Sequence, residues 1–138
     1  MRPSGAVNPI SVLLVAALLA AVYWAIVAGP MYLDNFTVRE IAETTIPRAY
    51  QSSDEALVQD VVTRLNMNEV GWHREDDENG QGLEVPGLGV SAQNVAIERD
   101  EAAHHLRVTI RYSRDVRLVP TSKWTTIDFE ATKEGTYQ

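Results

Sequence analysis

An acidic segment in the middle of the chain comes nearest to a metal-binding pattern. Glu75, Asp77 and Asn79 occupy alternate positions and a glycine follows, as at positions 1, 3, 5 and 6 of a calcium loop. The match is incomplete, because the first residue is not Asp and Pro86 stands where the bidentate Glu belongs. We therefore predict a long solvated acidic loop over residues 71–92, either without strands or with a short edge strand at 83–85. A weak surface calcium site is the alternative to a purely solvated loop.

No other arrangement of side chains predicts catalysis or a cofactor. His104 and His105 are adjacent, so on a strand they would point to opposite faces and could not share a metal ion. The chain has no cysteine, which excludes disulfides and Cys-based metal sites. It also lacks a nucleophile elbow and the Lys-Ser/Thr of a phosphate loop. We expect a non-enzyme with no cofactor and no small-molecule substrate.

The charge balance narrows the class of partner. The 138 residues include 12 Lys and Arg against 19 Asp and Glu, a net charge of −7. Nucleic-acid binding needs clustered basic residues, so this balance argues against it. An acidic domain is also repelled by anionic lipid when it lies flat on the membrane. The length suits one small domain with an anchor.

The anchor is predicted to be a transmembrane helix over residues 10–28. This uncharged run would span about 28 Å, close to the hydrocarbon thickness of about 30 Å. Asn8-Pro9 precedes the run, and Gly29-Pro30 is expected to end the helix. A cleaved signal peptide is the alternative, but such peptides have shorter apolar runs and a small-x-small cleavage site, which Ile26 disfavours.

The flanking charges predict the orientation. Arg2 lies on the N-terminal side of the anchor, whereas Asp34 is the first charge on the other side. This bias predicts a cytoplasmic tail over residues 1–9 and an extramembrane domain over residues 29–138. The membrane is predicted to be a bacterial inner membrane, and the domain to be periplasmic.

Small and aromatic side chains are the candidates for contacts with partners. The anchor contains no His, Asp, Glu, Lys or Arg and therefore offers no proton relay or haem ligand. Its alanines have small-xxx-small spacing, which permits close helix packing, although generic alanine content is the alternative. The helix-packing candidates are Ala16, Ala17, Ala20 and Ala21. The aromatic interface candidates are Tyr23, Trp24, Tyr32, Trp72, Trp124 and Tyr137.

The soluble part predicts helices followed by strands. Apolar residues at helical spacing predict a first short helix that ends at Pro47, and the capping box Ser52-x-x-Glu55 predicts the start of a second. One apolar stripe is predicted for the second helix, formed by Leu57, Val58, Val61, Val62 and Leu65. Alternating apolar residues then predict strands at 95–98, 106–112, 116–118 and 127–131, with a tight connection at 113–115. The predicted fold class is α+β: a single N-terminal transmembrane helix, two short helices and a small antiparallel β-meander.

Packing patterns over most of the chain carry a resemblance to a known family. They are Pro30–Val38 after the anchor, Leu57, Val61 and Arg64–Asn68, Val95–Arg99, and Leu106–Tyr112 with Val116 and Leu118. In these the chain resembles an uncharacterised family of small single-pass bacterial envelope proteins, a domain of unknown function. The resemblance implies an N-terminal transmembrane helix and a C-terminal α+β domain, and it implies no activity.

Two functions fit these features. The first is a non-catalytic accessory subunit whose anchor packs beside other transmembrane subunits in the lipid bilayer of a respiratory, photosynthetic or secretion assembly. The second is a free-standing envelope binding or sensor module that uses the acidic loop at 71–92.

Overall fold

A computed structural model describes residues 7–67 and 69–138. Arg2, Asn68 and most of the predicted tail over residues 1–9 lie outside the described residues. In chain order the elements are α1 (Pro9–Thr45), a 3-10 helix (Ile46–Tyr50), α2 (Asp54–Leu65), β1 (Trp72–Asp76), β2 (Gly82–Pro86), a second 3-10 helix (Ala92–Asn94), β3 (Val95–Asp100), β4 (His105–Arg117) and β5 (Trp124–Thr136). The α+β fold class is confirmed.

The long helix α1 joins the anchor to the domain. It begins at Asn8, whose side chain accepts a hydrogen bond from the amide of Ile10 at 3.0 Å. Within the described residues, α1 is the one helix long and apolar enough to span a membrane. It ends just before Pro47, as the sequence predicts.

The prediction that the anchor helix ends at Gly29-Pro30 is wrong. α1 continues through Pro30, so the first predicted short helix is the C-terminal part of α1. The proline removes one helical hydrogen bond. Ala28 and Met31, on either side of it, are buried by the domain. Packing on both sides of the proline therefore holds the helix together.

The second helix, α2, lies beside α1 and covers the same sheet. Its N-cap is Ser53, one residue later than predicted, and the Ser53 hydroxyl accepts a hydrogen bond from the amide of Ala56 at 3.3 Å. Leu57, Val61 and Leu65 are buried, which confirms the apolar stripe.

The main sheet is an antiparallel meander in the order β3-β4-β5. The tight connection predicted at 113–115 is wrong, because β4 continues through these residues and pairs regularly with β5. Arg114 occupies an inward-facing position of β4, and a charged residue at such a position interrupts the apolar alternation that predicts a strand. The turn instead lies at residues 118–123, where the amide of Leu118 donates to the carbonyl of Lys123 at 2.9 Å.

The predicted acidic loop at 71–92 contains a β-hairpin. β1 and β2 pair antiparallel from Trp72 opposite Pro86 to Asp76 opposite Gly82. The edge strand that the sequence allowed at 83–85 is therefore present, whereas β1 is an addition. The hairpin forms its own two-stranded sheet beside the end of β4.

The core lies between the two helices and the inner face of the meander. Leu57 and Leu65 of α2 are fully buried, as are Leu106 and Ile110 of β4. The outer face of β4 carries exposed ion pairs, including Arg111 with Glu130 at 2.6 Å. Such exposed pairs contribute about 0–1 kcal/mol each, so burial on the inner face dominates stability.

Candidate membrane and partner interface

The predicted helix-packing residues lie on an exposed part of α1. Every residue from position 7 to position 26 is exposed in the chain, including Ala16, Ala17, Ala20 and Ala21. No described residue of the domain therefore covers the alanine face. The span from residue 10 to residue 22 is free to contact lipid or another helix, whereas the domain reaches α1 at Tyr23.

Where α1 enters the domain, one face is buried and the opposite face stays apolar. The buried face begins at Val27 and Ala28. On the other side Ile26, Leu33 and Phe36 are 71%, 66% and 65% exposed. We call these three residues the outer face of α1; their spacing of seven and three residues places them on one side of the helix.

The outer face extends beyond the thickness of a bilayer. From Ile10 to Phe36 the helix rises about 40 Å, whereas a bilayer has a hydrocarbon core of about 30 Å. A helix tilted by about 20° would shorten this span by only a few ångströms. Leu33 and Phe36 therefore project about 5 Å and about 9 Å beyond the hydrocarbon when Ile10 lies at its opposite edge.

The aromatic candidates on α1 do not share one environment. The hydroxyl of Tyr23 donates a hydrogen bond of 2.7 Å to the carbonyl of Val119 in the β4–β5 turn. Trp24 remains exposed. Tyr32 packs edge-to-face on Phe129 with ring centroids 5.2 Å apart, although about half of its surface stays exposed. Trp24, 41% exposed, makes no hydrogen bond or aromatic contact with the described part of the domain.

A buried ion pair joins α1 to β4. Arg114, 2% exposed, donates a hydrogen bond to Asp34 at 2.7 Å and another to the carbonyl of Trp72 at 3.1 Å. The guanidinium also lies over the Trp72 ring at 5.4 Å. Gly71 has a φ of +60° and approaches this pair so closely that a Cβ would come within 2.8 Å of Asp34.

A tyrosine hydrogen bond lies beside this ion pair. The hydroxyl of Tyr112 donates to the side-chain carbonyl of Asn35 at 2.8 Å. Burial raises the pKa of Tyr112 to about 12, while the nearby charge of Arg114 acts in the opposite direction. Tyr112 is therefore a neutral donor at physiological pH.

Two contacts fix the height of β4 along α1. The Val119 carbonyl accepts a hydrogen bond from Tyr23, and the Arg114 guanidinium donates one to Asp34. From 114 to 119 the extended chain rises about 16 Å, and from 23 to 34 the helix also rises about 16 Å. The two segments therefore run antiparallel and side by side, and the β4–β5 turn points along α1 towards the candidate membrane span.

The two indole candidates of the domain form a pair. Trp72 and Trp124 pack edge-to-face with ring centroids 6.3 Å apart, and both are partly buried. Arg74 lies over the Trp124 ring at 4.8 Å. The pair stands where the hairpin meets the β4–β5 turn, next to a cavity of about 410 Å³ lined by Arg74, Gly80, Gln81, Gly82, Arg117, Ser122 and Trp124.

Tyr137 does not lie on the surface as an interface residue. It is 6% exposed and packs edge-to-face on His104, with ring centroids 5.7 Å apart. The Arg99 guanidinium lies over the Tyr137 ring, 5.3 Å from its centroid, and Arg99 also donates a hydrogen bond of 2.7 Å to Asp54. The end of the chain thus closes the core against β3 and α2, so Tyr137 is a packing residue.

The calcium candidates are used within the hairpin. Glu75 accepts a hydrogen bond of 2.9 Å from Nε2 of His73. Asp77 accepts from the amides of Asn79 at 2.9 Å and Gln81 at 2.7 Å, which forms the turn. Within residues 7–67 and 69–138, no three His, Asp or Glu side chains are placed to share a metal ion. The contacts explain this pattern as turn chemistry.

Both ring nitrogens of His73 face acceptors. Nδ1 lies 2.7 Å from the carbonyl oxygen of Gly87, and Nε2 faces Glu75. Burial lowers the pKa of His73, but the hydrogen bonds to Gly87 and Glu75 outweigh burial and raise it above the usual value of 6.5. The protonated ring can donate both hydrogen bonds, whereas the neutral ring can donate only one.

Sequence reasoning missed the cationic residues near the β4–β5 turn. Arg74 is more than 40 residues before Arg117 and Lys123 in the sequence, and the acidic balance of the chain hid all three. The signal that could have identified these cations is a basic residue that lies opposite Trp124 at the end of the neighbouring strand. Register places Trp124 opposite Arg117, but register follows only from the complete meander.

Comparison with known proteins adds no family. No protein-family model, no curated protein and no solved structure matches the chain. The class that the fold defines is an α+β domain carried on one candidate transmembrane helix.

Proposed function

We propose that this chain is a non-catalytic accessory subunit of a larger membrane complex. The anchor spans a bacterial inner membrane once, with its N-terminus in the cytoplasm and the α+β domain in the periplasm. The outer face of α1 and the alanines of the span pack beside other transmembrane subunits. The complex is a respiratory, photosynthetic or secretion assembly.

The outer face of α1 is the observation that carries this proposal. Leu33 and Phe36 are two-thirds exposed and adjoin the exposed span. Solvent contact with such a continuous apolar surface is unfavourable by about 25 cal/mol per Å², so a protein partner that covers it is favoured. The continuation into the span, where Ala17 and Ala21 permit close approach, makes a membrane subunit the natural partner.

The continuity of α1 supports an anchor that is retained. Cleavage as a signal peptide near Ala28 would cut a regular helix at a residue that is fully buried by the domain. It would also remove Tyr23, which is bonded to the β4–β5 turn. Removal of these contacts would expose apolar core surface, which favours the uncleaved chain.

The test is purification of a native complex. Native membranes that contain the tagged full-length chain are solubilised in mild detergent, separated by size and analysed by mass spectrometry. We expect co-migration with one large complex at a fixed stoichiometry. Leu33→Ala with Phe36→Ala should weaken this association roughly tenfold to hundredfold, since truncation of central interface residues costs about 2 kcal/mol or more.

A matched control separates this surface from general loss of apolar side chains. Tyr50 is 68% exposed but lies at the far end of the 3-10 helix, so Tyr50→Ala should leave the complex unchanged. Ala17→Leu with Ala21→Leu tests the same partner within the span. Migration of the wild-type chain alone would refute the accessory-subunit proposal and would favour the free-standing module.

A further inference from the structure

The cavity between the hairpin and the β4–β5 turn lies at the outer edge of the span. The hydrogen bond from Tyr23 places Val119 level with Tyr23 along α1. Arg117 comes two residues before Val119 in the chain and therefore lies about 7 Å further from the membrane. Along α1 this height corresponds to residues 27–28, the end of the predicted span. Arg117 and its strand neighbour Trp124 are therefore at the level where phospholipid headgroups lie.

The cavity is lined by cationic side chains, an indole ring and a glycine-containing segment of the hairpin. Its volume is about 410 Å³, and it is lined by Arg74, Arg117, Ser122 and Trp124, together with residues 80–82 of the hairpin. A Cβ on Gly82 would clash with the Arg74 side chain, so the glycine makes room for that side chain. Arginines donate to phosphate oxygens in fixed geometry, and Trp is favoured at the membrane–water boundary.

Two donors in the cavity have no protein partner. Nε of Arg74 is buried without a hydrogen bond among the described residues. Arg117 is exposed, and no carboxylate in the described part of the chain lies within ion-pair distance of it. An unpaired buried donor such as Nε of Arg74 is costly, and Arg117 is a cation with no counter-charge beside it, so both groups favour a bound anion.

The acidic neighbours select among anions. Arg74 also pairs with Asp76 at 2.8 Å, which places a carboxylate beside the cationic groups. A headgroup with net negative charge would meet this carboxylate and the acidic hairpin turn. A zwitterionic headgroup can place its phosphate on the arginines and its ammonium near Asp76, so that both charges are paired.

We infer that this cavity binds the headgroup of a zwitterionic phospholipid, with Arg117 and Arg74 on the phosphodiester and Asp76 near the ammonium. The site rests on the membrane anchoring in the proposed function but requires no protein partner. Trp124 packs beside the glycerol region. The lipid acts as a second attachment of the domain to the membrane, next to the anchor.

The test uses the purified full-length chain in nanodiscs of phosphatidylethanolamine or of phosphatidylglycerol. After transfer to detergent, native mass spectrometry measures the phospholipid that stays bound. We expect one phosphatidylethanolamine per chain and roughly tenfold to hundredfold weaker retention by Arg117→Gln, since each hydrogen bond between charged groups has that effect. Arg111→Gln removes the same charge from the same face of β4, away from the cavity, and should retain the lipid.

The other outcomes are decisive. Three results would each overturn the inference. They are equal lipid retention by Arg117→Gln and Arg111→Gln, no bound phospholipid on the wild type, and retention of phosphatidylglycerol equal to that of phosphatidylethanolamine. Competition by millimolar inorganic phosphate in detergent would assign the site to free phosphate instead of lipid. Carbonate extraction of native membranes separates the two proposals, because release of the chain refutes anchoring itself, whereas a retained chain without lipid refutes only this site.

Discussion

Replacement of Arg114 by Met tests whether the ion pair with Asp34 holds the domain on α1. Methionine fills much of the same space and removes the charge, so the effect of a cavity is small. The variant loses the 2.7 Å hydrogen bond to Asp34 and the 3.1 Å hydrogen bond to the carbonyl of Trp72. The Asp34 carboxylate and the Trp72 carbonyl then lack these donors at the junction of α1, β4 and the hairpin.

The expected cost follows from the burial of the two partners. Breaking a fully buried ion pair costs about 3–5 kcal/mol. The Arg114 side chain is 1% exposed but that of Asp34 is 30% exposed, so water can partly solvate the remaining carboxylate. We therefore expect Arg114→Met to lower the free energy of unfolding by about 2–4 kcal/mol. In a domain of about 100 residues this lowers Tm by roughly 10–20 °C.

The assay is thermal unfolding of the full-length chain in detergent, followed by near-ultraviolet circular dichroism. Asp34→Leu combined with Arg114→Met removes both charges together and should cost less than the sum of the two single variants, by about 1–3 kcal/mol of coupling. A cost below about 1 kcal/mol for Arg114→Met, or additive single effects, would refute the role of this pair.

Two further predictions concern the hairpin and the β4–β5 turn. Because the pKa of His73 is raised in the folded state, its contribution to stability is complete below about pH 6.5 and is lost as the pH rises through the folded pKa. The free energy of unfolding, measured from pH 5.5 to 8.5, should decline in the wild type but not in His73→Gln. Parallel curves for the two proteins would contradict this. Tyr23→Phe removes the hydrogen bond to Val119 and should lower the free energy of unfolding by about 1 kcal/mol, measured by the same thermal assay, with Trp24→Phe, which has no described hydrogen bond to lose, as the control.

Periodicity predicted the elements that bury one face. The stripe of α2 and the alternation of β4 from Leu106 to Tyr112 both follow directly from burial on one side, and both are confirmed. These patterns are local, because each apolar residue reports the same neighbouring layer. The order of helices and strands was therefore predictable from the sequence.

The errors occur where a distant residue decides the local structure. Arg114 interrupts the apolar alternation of β4, so a strand there could not be predicted without its partner Asp34, 80 residues earlier. Pro30 suggested a helix end, because the burial of Ala28 and Met31 by the domain is invisible in the local sequence. Long-range contacts overrode local preference in both cases.

The candidate site was predictable only in part, for the same reason. The aromatic residues were identified from their type, and Trp72 does pack on Trp124, which lines a surface cavity. Tyr137 was misassigned, because its burial depends on contacts with His104 and Arg99 from other elements. The cations of the cavity come together only through tertiary structure.

The way in which α1 carries the domain bears directly on the choice between the two functions. A free-standing sensor gains reach from a flexible linker, whereas α1 enters the domain as one unbroken helix and is held at Tyr23, Tyr32 and Asp34. A displacement of the anchor must therefore displace the domain with it. This coupling suits a subunit whose task is to occupy a fixed position beside neighbouring helices, and it is why we favour an accessory role in a membrane complex.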